Sequence, residues 1–290
     1  MKNIDPTHPG TSVNLQTKEW IPNSFNGFLH ELNHIATSCK RAHSLALFRG
    51  HRKREWLLDS TFVRSFKRTL FGVQLEDKQL SKHIVESSDL HRTLLSLFFL
   101  KFGVLMHPSD ELQAAVVPHN VDEWFELMKR IQQYPEENVD GDFLIKGTNI
   151  LDWTRSQDVA LYFANEIRNG EGAIYICNAT ATGKTLQIIP VGEILEKMKA
   201  SENTHNCLSM PLIFCPPHQI SDVRTKNQQA VYFAQMDLRY DLESAWRLYK
   251  EKFGGECVIA KLVLPHGTES EASEYLFEKG ITKEFIYPDR

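Results

Sequence analysis

The sequence is short of cysteine, has no long apolar run and shows no histidine spacing typical of a metal site. Its five cysteines are scattered, odd in number and never spaced Cys-x-x-Cys, which argues against a disulfide framework and a zinc site. The most apolar run covers 13 residues, Leu94 to Met106, and includes Lys101. A membrane-spanning helix needs about 20 apolar residues. We therefore expect reduced thiols, no metal and no membrane segment.

The overall composition is that of an ordinary globular protein, with 42% hydrophobic and 24% charged residues in 290. The first 23 residues are polar and carry prolines, without the basic and then apolar order of a signal peptide. We expect a cytoplasmic protein with a flexible arm at residues 1–23 and a single domain at residues 24–290.

Positive charge is concentrated in one stretch of an acidic chain whose net charge is −4. Between Lys40 and Arg68, nine basic residues stand against two acidic ones, Glu55 and Asp59. A local positive field on an acidic protein suits a polyphosphate or one specific anionic partner. A solvated helix face with a few ion pairs is the alternative interpretation.

Apolar spacing predicts helices mainly in the first half of the chain and strands mainly in the second. Ser24 is expected to cap a helix from Phe25 to about Cys39, and Ser156 a second helix through about Ile167. The other predicted helices cover residues 78–103, Val121–Gln133, Val191–Lys199, Leu242–Phe253 and Ser270–Lys279. The predicted strands are Ser44–Phe48, Ile150–Thr154, Ala173–Cys177, Leu186–Ile189, Leu212–Phe214, Ala230–Phe233, Cys257–Leu264 and Phe285–Tyr287. This order favours an α+β fold, with a helical N-terminal part packed on a mixed β core.

The first motif is Phe48-Arg49-Gly50, at the end of an apolar strand. A buried arginine needs an anionic partner, because an unpaired buried charge is costly. Gly50 would let the backbone pass close to a ligand. We interpret Arg49 as a clamp for a phosphate or a ribose, with an internal salt bridge as the alternative.

Two further motifs place polar side chains at strand ends. Asp152 and Thr154 flank Trp153 where a strand turns into a helix, and a helix N-terminus gathers backbone donors at one point. The alternative is that Asp152 only caps the helix and Trp153 only packs. Gln228 leads into the strand that begins at Ala230 and could present its amide to a ligand, with a polar loop of no further role as the alternative.

Together these motifs resemble the FRG domain, a family named for its phenylalanine-arginine-glycine tripeptide. The resemblance spans about Phe25 to Asp289. The matching residues are Phe48-Arg49-Gly50, Trp56, Ser60, Arg64, Ile150 to Ala164, Arg224, Gln228, Ala230, Tyr232, Gly280-Ile281-Thr282 and Pro288-Asp289. The family's usual histidine and proline before the Asp152 turn have no counterpart in Thr148 and Asn149.

The order of the motifs is also similar to that of the ADP-ribosyltransferase core, although less closely. That resemblance implies that NAD is the substrate and that Arg49 and Gly50 hold it. It also implies that Trp153 and Tyr162 pack the nicotinamide, that Thr154 and Asp152 orient it, and that Gln228 touches the ribose or the acceptor. Ala230 stands where that family has its catalytic glutamate, so we expect Asp152 to supply the carboxylate, with Arg49 and Gln228 completing the catalytic group.

The expected function is therefore an ADP-ribosyltransferase-like effector, of the toxin or phage-defence type, that transfers ADP-ribose from NAD to a nucleic acid, with RNA favoured. An antitoxin or other regulator is an expected class of partner. Three alternatives stay open: transfer to a protein, a non-catalytic module that binds a nucleotide or an anion, and an interaction protein whose motifs are purely structural.

Overall fold

The computed structural model describes residues 19–71, 146–179, 212–214, 222–235, 238, 240–253 and 258–288. Within these ranges the strands are β1 (Glu19–Trp20), β2 (Ala46–His51), β3 (Ile150–Thr154), β4 (Gly172–Asn178), β5 (Leu212–Phe214), β6 (Ala230–Ala234) and β7 (Ile259–Leu264). The helices are α1 (Phe25–Arg41), α2 (Thr61–Phe71), α3 (Gln157–Asn165), α4 (Val223–Gln228), α5 (Leu242–Phe253), α6 (Glu269–Glu278) and α7 (Lys283–Ile286).

One mixed sheet organises the described residues, in the order β1-β7-β4-β2-β3-β6-β5. The β1–β7 pair is parallel and the other described pairs are antiparallel. All seven residues of β4 are buried, as expected for a strand that is covered on both faces. The mixed α and β content agrees with the predicted α+β class.

Helices cover the two faces of the sheet and form two apolar cores. On one face, α1, α3 and α6 pack against the sheet through residues such as Phe28, Leu161 and Leu276. On the other face, Trp246 of α5 packs with Trp153 and other residues of the sheet. Successive residues of a strand point to opposite faces, so each strand contributes to both cores.

Helix α1 shows how local sequence sets these elements. Its Ser24 cap accepts a hydrogen bond from the Gly27 amide at 3.1 Å, which satisfies one of the unpaired donors of the first turn. Its buried apolar residues recur at helical spacing and face the sheet. They are Phe25, Phe28, Leu32, Ile35 and Cys39. Burial raises the pKa of the Cys39 thiol to about 11.

The junction between β2 and β3 is the narrowest pairing among the long strands of the sheet. These strands share one pair of facing residues, Phe48 and Thr154, whereas β2 and β4 share six and β3 and β6 share five. Beyond Phe48 the two strands no longer pair. The sheet therefore has a seam at this place, where backbone groups and side chains can face a ligand.

Most predicted elements within the described residues are confirmed. The predicted strand Leu212–Phe214 and helix Leu242–Phe253 match the structure residue for residue. The predicted strand Phe285–Tyr287 is wrong, because Lys283–Ile286 form the short helix α7. Its cap is Thr282, whose Oγ1 accepts a hydrogen bond from the Phe285 amide at 3.3 Å, and this local signal outweighs a three-residue apolar pattern.

The expected arm overlaps the sheet at its end, since Glu19 and Trp20 pair with Lys261 and Leu262 of β7. Residues 1–18 lie outside the described part of the chain. The predicted strand Leu186–Ile189 also lies outside it, as do the helices predicted at residues 78–103, Val121–Gln133 and Val191–Lys199.

Candidate functional site

A cavity of about 340 Å³ opens at the seam between β2 and β3. We call it the seam pocket. Its lining comes from β2, β3, α2, α3, α4, the start of β6 and the end of the described chain. The lining residues are Phe48, Arg49, Gly50, His51, Arg52, Trp56, Arg64, Asp152, Trp153, Thr154, Phe163, Glu166, Arg224, Gln228, Ala230 and Tyr287.

Arg49 lies at the seam and partly replaces the missing strand pairing. Its Nη1 donates a hydrogen bond to the main-chain oxygen of Asp152, and its Nε donates to Nε2 of His51 at 3.0 Å. Burial lowers the pKa of Arg49 to about 10, although the nearby charge of Asp152 acts in the opposite direction. The guanidinium thus stays positive at neutral pH, and Nη2 has no hydrogen-bond partner among the described residues.

His51 fixes Arg49 by accepting the hydrogen bond from its Nε. Because an arginine can only donate, Nε2 of His51 must accept, and the ring proton lies on Nδ1. Nδ1 is 3.3 Å from the main-chain oxygen of Trp56, which also accepts a hydrogen bond from the Tyr175 hydroxyl at 3.2 Å. Burial and the charges of Arg49 and Arg64 hold the pKa of His51 well below its usual value of 6.5. A neutral histidine therefore supports the cationic Arg49.

Trp56 forms an aromatic wall that two further arginines contact. The guanidinium carbons of Arg52 and Arg64 lie 5.5 and 5.9 Å from the centroid of its ring, within the range of cation–π interaction. Arg64 also donates a hydrogen bond to the Thr61 hydroxyl at 3.3 Å. Arginine side chains from two separate elements thereby meet on one indole.

A buried polar cluster fixes the segment between Trp56 and α2. The side-chain oxygen of Gln235 accepts a hydrogen bond from the Ser60 amide at 2.8 Å. The side-chain nitrogen of Gln235 donates to Asp59 at 3.2 Å and to the main-chain oxygen of Tyr240 at 2.7 Å. Satisfied buried polar groups rigidify their surroundings. This cluster therefore fixes the start of α2 and, with it, the position of Arg64.

The β3–α3 turn connects two of the predicted motifs. The Thr154 hydroxyl donates to the main-chain oxygen of Gln228 at 2.6 Å and accepts from the Ser156 amide at 2.9 Å. Ser156 caps α3 by accepting from the Val159 amide at 3.3 Å. Thr154 therefore positions Gln228 and the start of α3, while Asp152 lines the pocket itself.

Gln228 is fixed at the end of α4 by its own side chain. Its Nε2 donates to the main-chain oxygen of Ile286 at 3.0 Å, and Asn227 donates to that of Phe285 at 2.8 Å. Gln229 then adopts a left-handed conformation with φ 46°, which ends the helix. The amide nitrogen of Gln228 thus serves the fold, and its Oε1 is the group that the described contacts leave for a ligand.

A second carboxylate, Glu166, stands at the C-terminal end of α3. The hydroxyls of Tyr162 and Tyr287 donate to its two oxygens at 3.4 and 3.5 Å. Arg224 stacks on Tyr287, with its guanidinium carbon 5.0 Å from the ring centroid. Tyr287 and Phe163 are 6.5 Å apart between ring centroids. This wall brings one acid, one arginine and two aromatic rings to the pocket.

The structure corrects two of the predicted aromatic contacts. Trp153 borders the pocket, but it is 2% exposed, and its ring packs against Phe233 at 4.8 Å in the core. Tyr162 is not among the lining residues and uses its hydroxyl on Glu166. The exposed aromatic surfaces of the pocket belong instead to residues that the sequence did not single out for this role, such as Trp56.

Gly50 is required for a reason other than the predicted one. A Cβ atom at this position would lie 1.9 Å from the main-chain oxygen of Ala160 and 2.6 Å from the Ala164 nitrogen. Gly50 therefore allows α3 to pack directly on β2. This packing places Asp152 and Glu166, at the two ends of the β3–α3 unit, around the same cavity.

The basic segment Lys40–Arg68 divides between two environments. Arg49, Arg52 and Arg64 line the seam pocket. Arg54, in contrast, is paired with Glu19 and Glu171. The side chains of residues 67–71 lie outside what the structure describes. The ion-pair interpretation thus holds for Arg54, and the anionic partner stays a prediction for the arginines that line the cavity.

Comparison with known proteins found no matching family model, no similar curated protein and no similar solved structure. Among the described helices, none is long and apolar enough to cross a membrane. In the same residues, no group of three or more His, Cys, Asp or Glu side chains is arranged to hold a metal ion. Cys39 and Cys177 are buried free thiols.

Proposed function

We propose that the seam pocket binds NAD and that the protein transfers ADP-ribose from it to an acceptor, on a β core of the ADP-ribosyltransferase type. NAD is a substrate in this proposal, and no metal takes part. The proposal follows from the resemblance found in the sequence, and the seam pocket is the cavity that it assigns to NAD.

One observation carries this proposal: the three sequence motifs, far apart in the chain, meet in one cavity. Arg49, Asp152 and Gln228 all line the seam pocket. Its volume, about 340 Å³, falls in the usual range of ligand pockets, about 300–1,000 Å³. Arginines suit the diphosphate of NAD because their planar forks match phosphate oxygens. Exposed aromatic faces suit its planar rings.

The proposed roles follow from the contacts. Nη2 of Arg49 holds a phosphate or ribose oxygen, while its other contacts fix the guanidinium. Oε1 of Gln228 accepts a hydrogen bond from a ribose hydroxyl or from the acceptor. Phe163 and Tyr287, which both line the pocket, take over the ring-packing role first expected of Trp153 and Tyr162. Thr154 acts through Gln228, whose main chain it holds.

The chemistry requires a carboxylate near the ribose. The bond between the anomeric carbon and the nicotinamide nitrogen breaks, and nicotinamide leaves with the electron pair. The acceptor's nucleophile bonds to the same carbon and loses its proton. Positive charge builds on the ribose in between, and a nearby carboxylate stabilises it. Asp152 is the proposed group, beside Arg49, and Glu166 is the second carboxylate of the pocket.

The proposed acceptor is a nucleic acid, with RNA favoured, and the proposed setting is a toxin or antiviral effector controlled by a partner. Arg52 and Arg64 add positive charge to the pocket lining, which attracts a polyanion. Transfer to a protein would give the same NAD consumption with a different labelled product.

A non-catalytic nucleotide-binding module is the second candidate function, and Ala230 favours it. This residue lines the pocket at the position where the resemblance would have a catalytic glutamate. A site that binds NAD without cleaving it would need Arg49 and the aromatic wall but no carboxylate.

Labelled NAD incubated with the pure protein and with separate pools of RNA, DNA and protein tests the proposal. We expect label in the RNA pool and release of nicotinamide, both lost in Asp152→Asn. NAD binding without release of nicotinamide in any pool would leave the binding module as the function. Absence of both binding and release would reject both functions.

A further inference from the structure

We propose that Arg52, Trp56 and Arg64 form a diphosphate-binding subsite at the seam pocket, with Arg49 at its inner end. This inference rests on the proposed function for the identity of the whole ligand. It adds the part of the pocket that recognises the phosphates.

The first support is the convergence of like charges on a neutral ring. Both guanidinium groups lie over Trp56, so their separation cannot exceed the sum of the two distances to that ring. Arg64 is also close enough to Arg49 for its charge to lower the pKa of Arg49. All three arginines line the same cavity, and a lining with several positive charges favours an anion that carries two or more charges.

The second support is the difference between Arg52 and its neighbours in the loop. Arg54 is paired with two carboxylates, and Lys53 is 3.9 Å from Glu55. For Arg52, no carboxylate lies within salt-bridge distance in the described ranges, and its guanidinium is directed to Trp56. The charge of the half-buried Arg52 therefore lies at the lining of the pocket.

The third support is the rigidity of the platform. The main-chain oxygen of Trp56 accepts hydrogen bonds from His51 and Tyr175, and its ring packs edge-on against His51, with centroids 6.0 Å apart. The segment that follows is held by the Gln235 cluster. A pre-organised arginine loses less conformational freedom when it binds a phosphate.

A diphosphate fits better than a single phosphate because the arginines come from three separate places, the strand β2, the loop after it and the helix α2. Arginine forks can bind adjacent phosphate oxygens in pairs. The phosphodiester of a nucleic-acid strand has related chemistry, so the test must separate a small diphosphate from a polymer.

The test is a calorimetric titration of the full chain with ADP, adenosine, inorganic pyrophosphate, NAD and a single-stranded RNA of ten nucleotides. We expect ADP and pyrophosphate to bind, and Arg52→Gln or Arg64→Gln to weaken both by about 10- to 100-fold, with adenosine affected less than about threefold. Lys53→Gln, which removes a charge from the same loop outside the pocket, is the matched control and should leave ADP affinity unchanged.

The Arg52→Lys variant and thermal unfolding measurements distinguish a loss of ADP binding from a folding defect. Arg52→Lys keeps the charge but loses the planar fork, and we expect an intermediate ADP affinity with an unchanged melting temperature. Equal ADP affinity in the parent and in both glutamine variants would overturn the subsite. An RNA affinity that depends on Arg52 and Arg64 while ADP affinity does not would also overturn it, in favour of a nucleic-acid surface.

The failure of this inference differs from that of the proposed function. Pyrophosphate binding that depends on Arg52 and Arg64, with no binding or cleavage of NAD, would support the subsite and reject the proposed function. If Arg52→Gln and Arg64→Gln leave NAD binding and ADP-ribose transfer unchanged, the result would support the proposed function and reject the subsite.

Discussion

The loop after β2 contributes to two charged regions, an ion-paired surface and the lining of a cavity. On one side, Arg54 donates to Glu19 at 2.6 Å and to Glu171 at 2.9 Å, and Lys261 lies 2.6 Å from Glu19. These four residues form what we call the ion-pair network. On the other side, Arg52 turns into the seam pocket, whose lining has four arginines and two carboxylates.

The comparison shows that charge density alone does not reveal the role of a basic segment. The ion-pair network ties β1, the loop, the start of β4 and β7 together, so its charges act on the fold. The lining of the seam pocket has more arginines than carboxylates, so its charges are expected to act on the proposed ligand. Substitutions in the two regions should therefore separate stability from binding.

Replacing Arg49 should give the largest effect on NAD binding. We expect Arg49→Ala to weaken NAD binding by about 10- to 150-fold, because it removes a charged donor worth about 1.5–3 kcal/mol per hydrogen bond. The variant should also melt several degrees lower, since the main-chain oxygen of Asp152 and Nε2 of His51 lose their donor. Calorimetry and thermal unfolding measure the two effects. Unfolding of the variant at room temperature would mean that Arg49 is mainly structural.

Removing the charge of Asp152 should stop the reaction without removing the ligand. We expect Asp152→Asn to lower the transfer rate by about 10²- to 10³-fold, the usual scale for losing one electrostatic stabiliser of a transition state. NAD affinity should change little. Gln228→Ala should lower transfer less, because an amide supplies no charge. If Asp152→Asn works at the parent rate and Glu166→Gln does not, Glu166 is the acid and Asp152 only shapes the turn.

The seam pocket and the ion-pair network should reduce the stability of the fold in different pH ranges. Burial and neighbouring cations lower the pKa of His51. Below pH 6.5 the unfolded chain therefore binds a proton that the folded chain does not, and the stability of the fold decreases as the pH decreases. For Glu19, burial raises the pKa, but hydrogen bonds and charges from Arg54 and Lys261 outweigh it and the pKa lies below 4.5. Its contribution is present above pH 4.5 and is lost as the pH falls through the lowered pKa.

Denaturant unfolding between pH 3 and pH 8 separates these contributions. We expect His51→Gln to flatten the slope below pH 6.5, which for one group is at most about 1.4 kcal/mol per pH unit. We expect Arg54→Gln to flatten only the part below pH 4.5. A slope below pH 6.5 that His51→Gln leaves unchanged would assign the titration to another group.

Removing Arg54 should give the smallest effect and only on the fold. Its side chain is 31% exposed, and exposed ion pairs contribute about 0–1 kcal/mol each. We expect Arg54→Gln to lower the melting temperature by about 2–4 °C, the shift that about 1 kcal/mol produces in a domain of this size. Its NAD affinity should equal that of the parent. A loss of NAD affinity would extend the pocket to the ion-pair network.

The sequence predicted those parts of the fold that depend on local signals. Helix α1 follows from the Ser24 cap and apolar periodicity, and the strands from short apolar runs. The meeting of Arg49 with Asp152 was inferred from motif order. Trp153 borders the cavity as predicted, but its burial was not predicted, because the contact with Phe233 of the neighbouring strand is tertiary. On α3, one step of helical rotation brings Phe163 rather than Tyr162 to the pocket.

The remaining parts of the site depend on distant contacts that carry no local signal. Glu166 enters the pocket because Gly50 lets α3 lie on β2 and because Tyr287 arrives from the far end of the chain. His51 is only two residues after Arg49 in the sequence, but its role needs the carbonyl of Trp56. Contacts between residues far apart in sequence are set by tertiary packing, which periodicity does not report.

A crystal structure of the Asp152→Asn variant with NAD tests most directly whether the seam pocket is the NAD site. We expect one dinucleotide per chain, with its diphosphate in contact with Arg52 and Arg64, a phosphate or ribose oxygen on Arg49, and its nicotinamide ribose beside residue 152. Density for NAD at another surface, or an empty seam pocket at saturating NAD, would contradict this assignment.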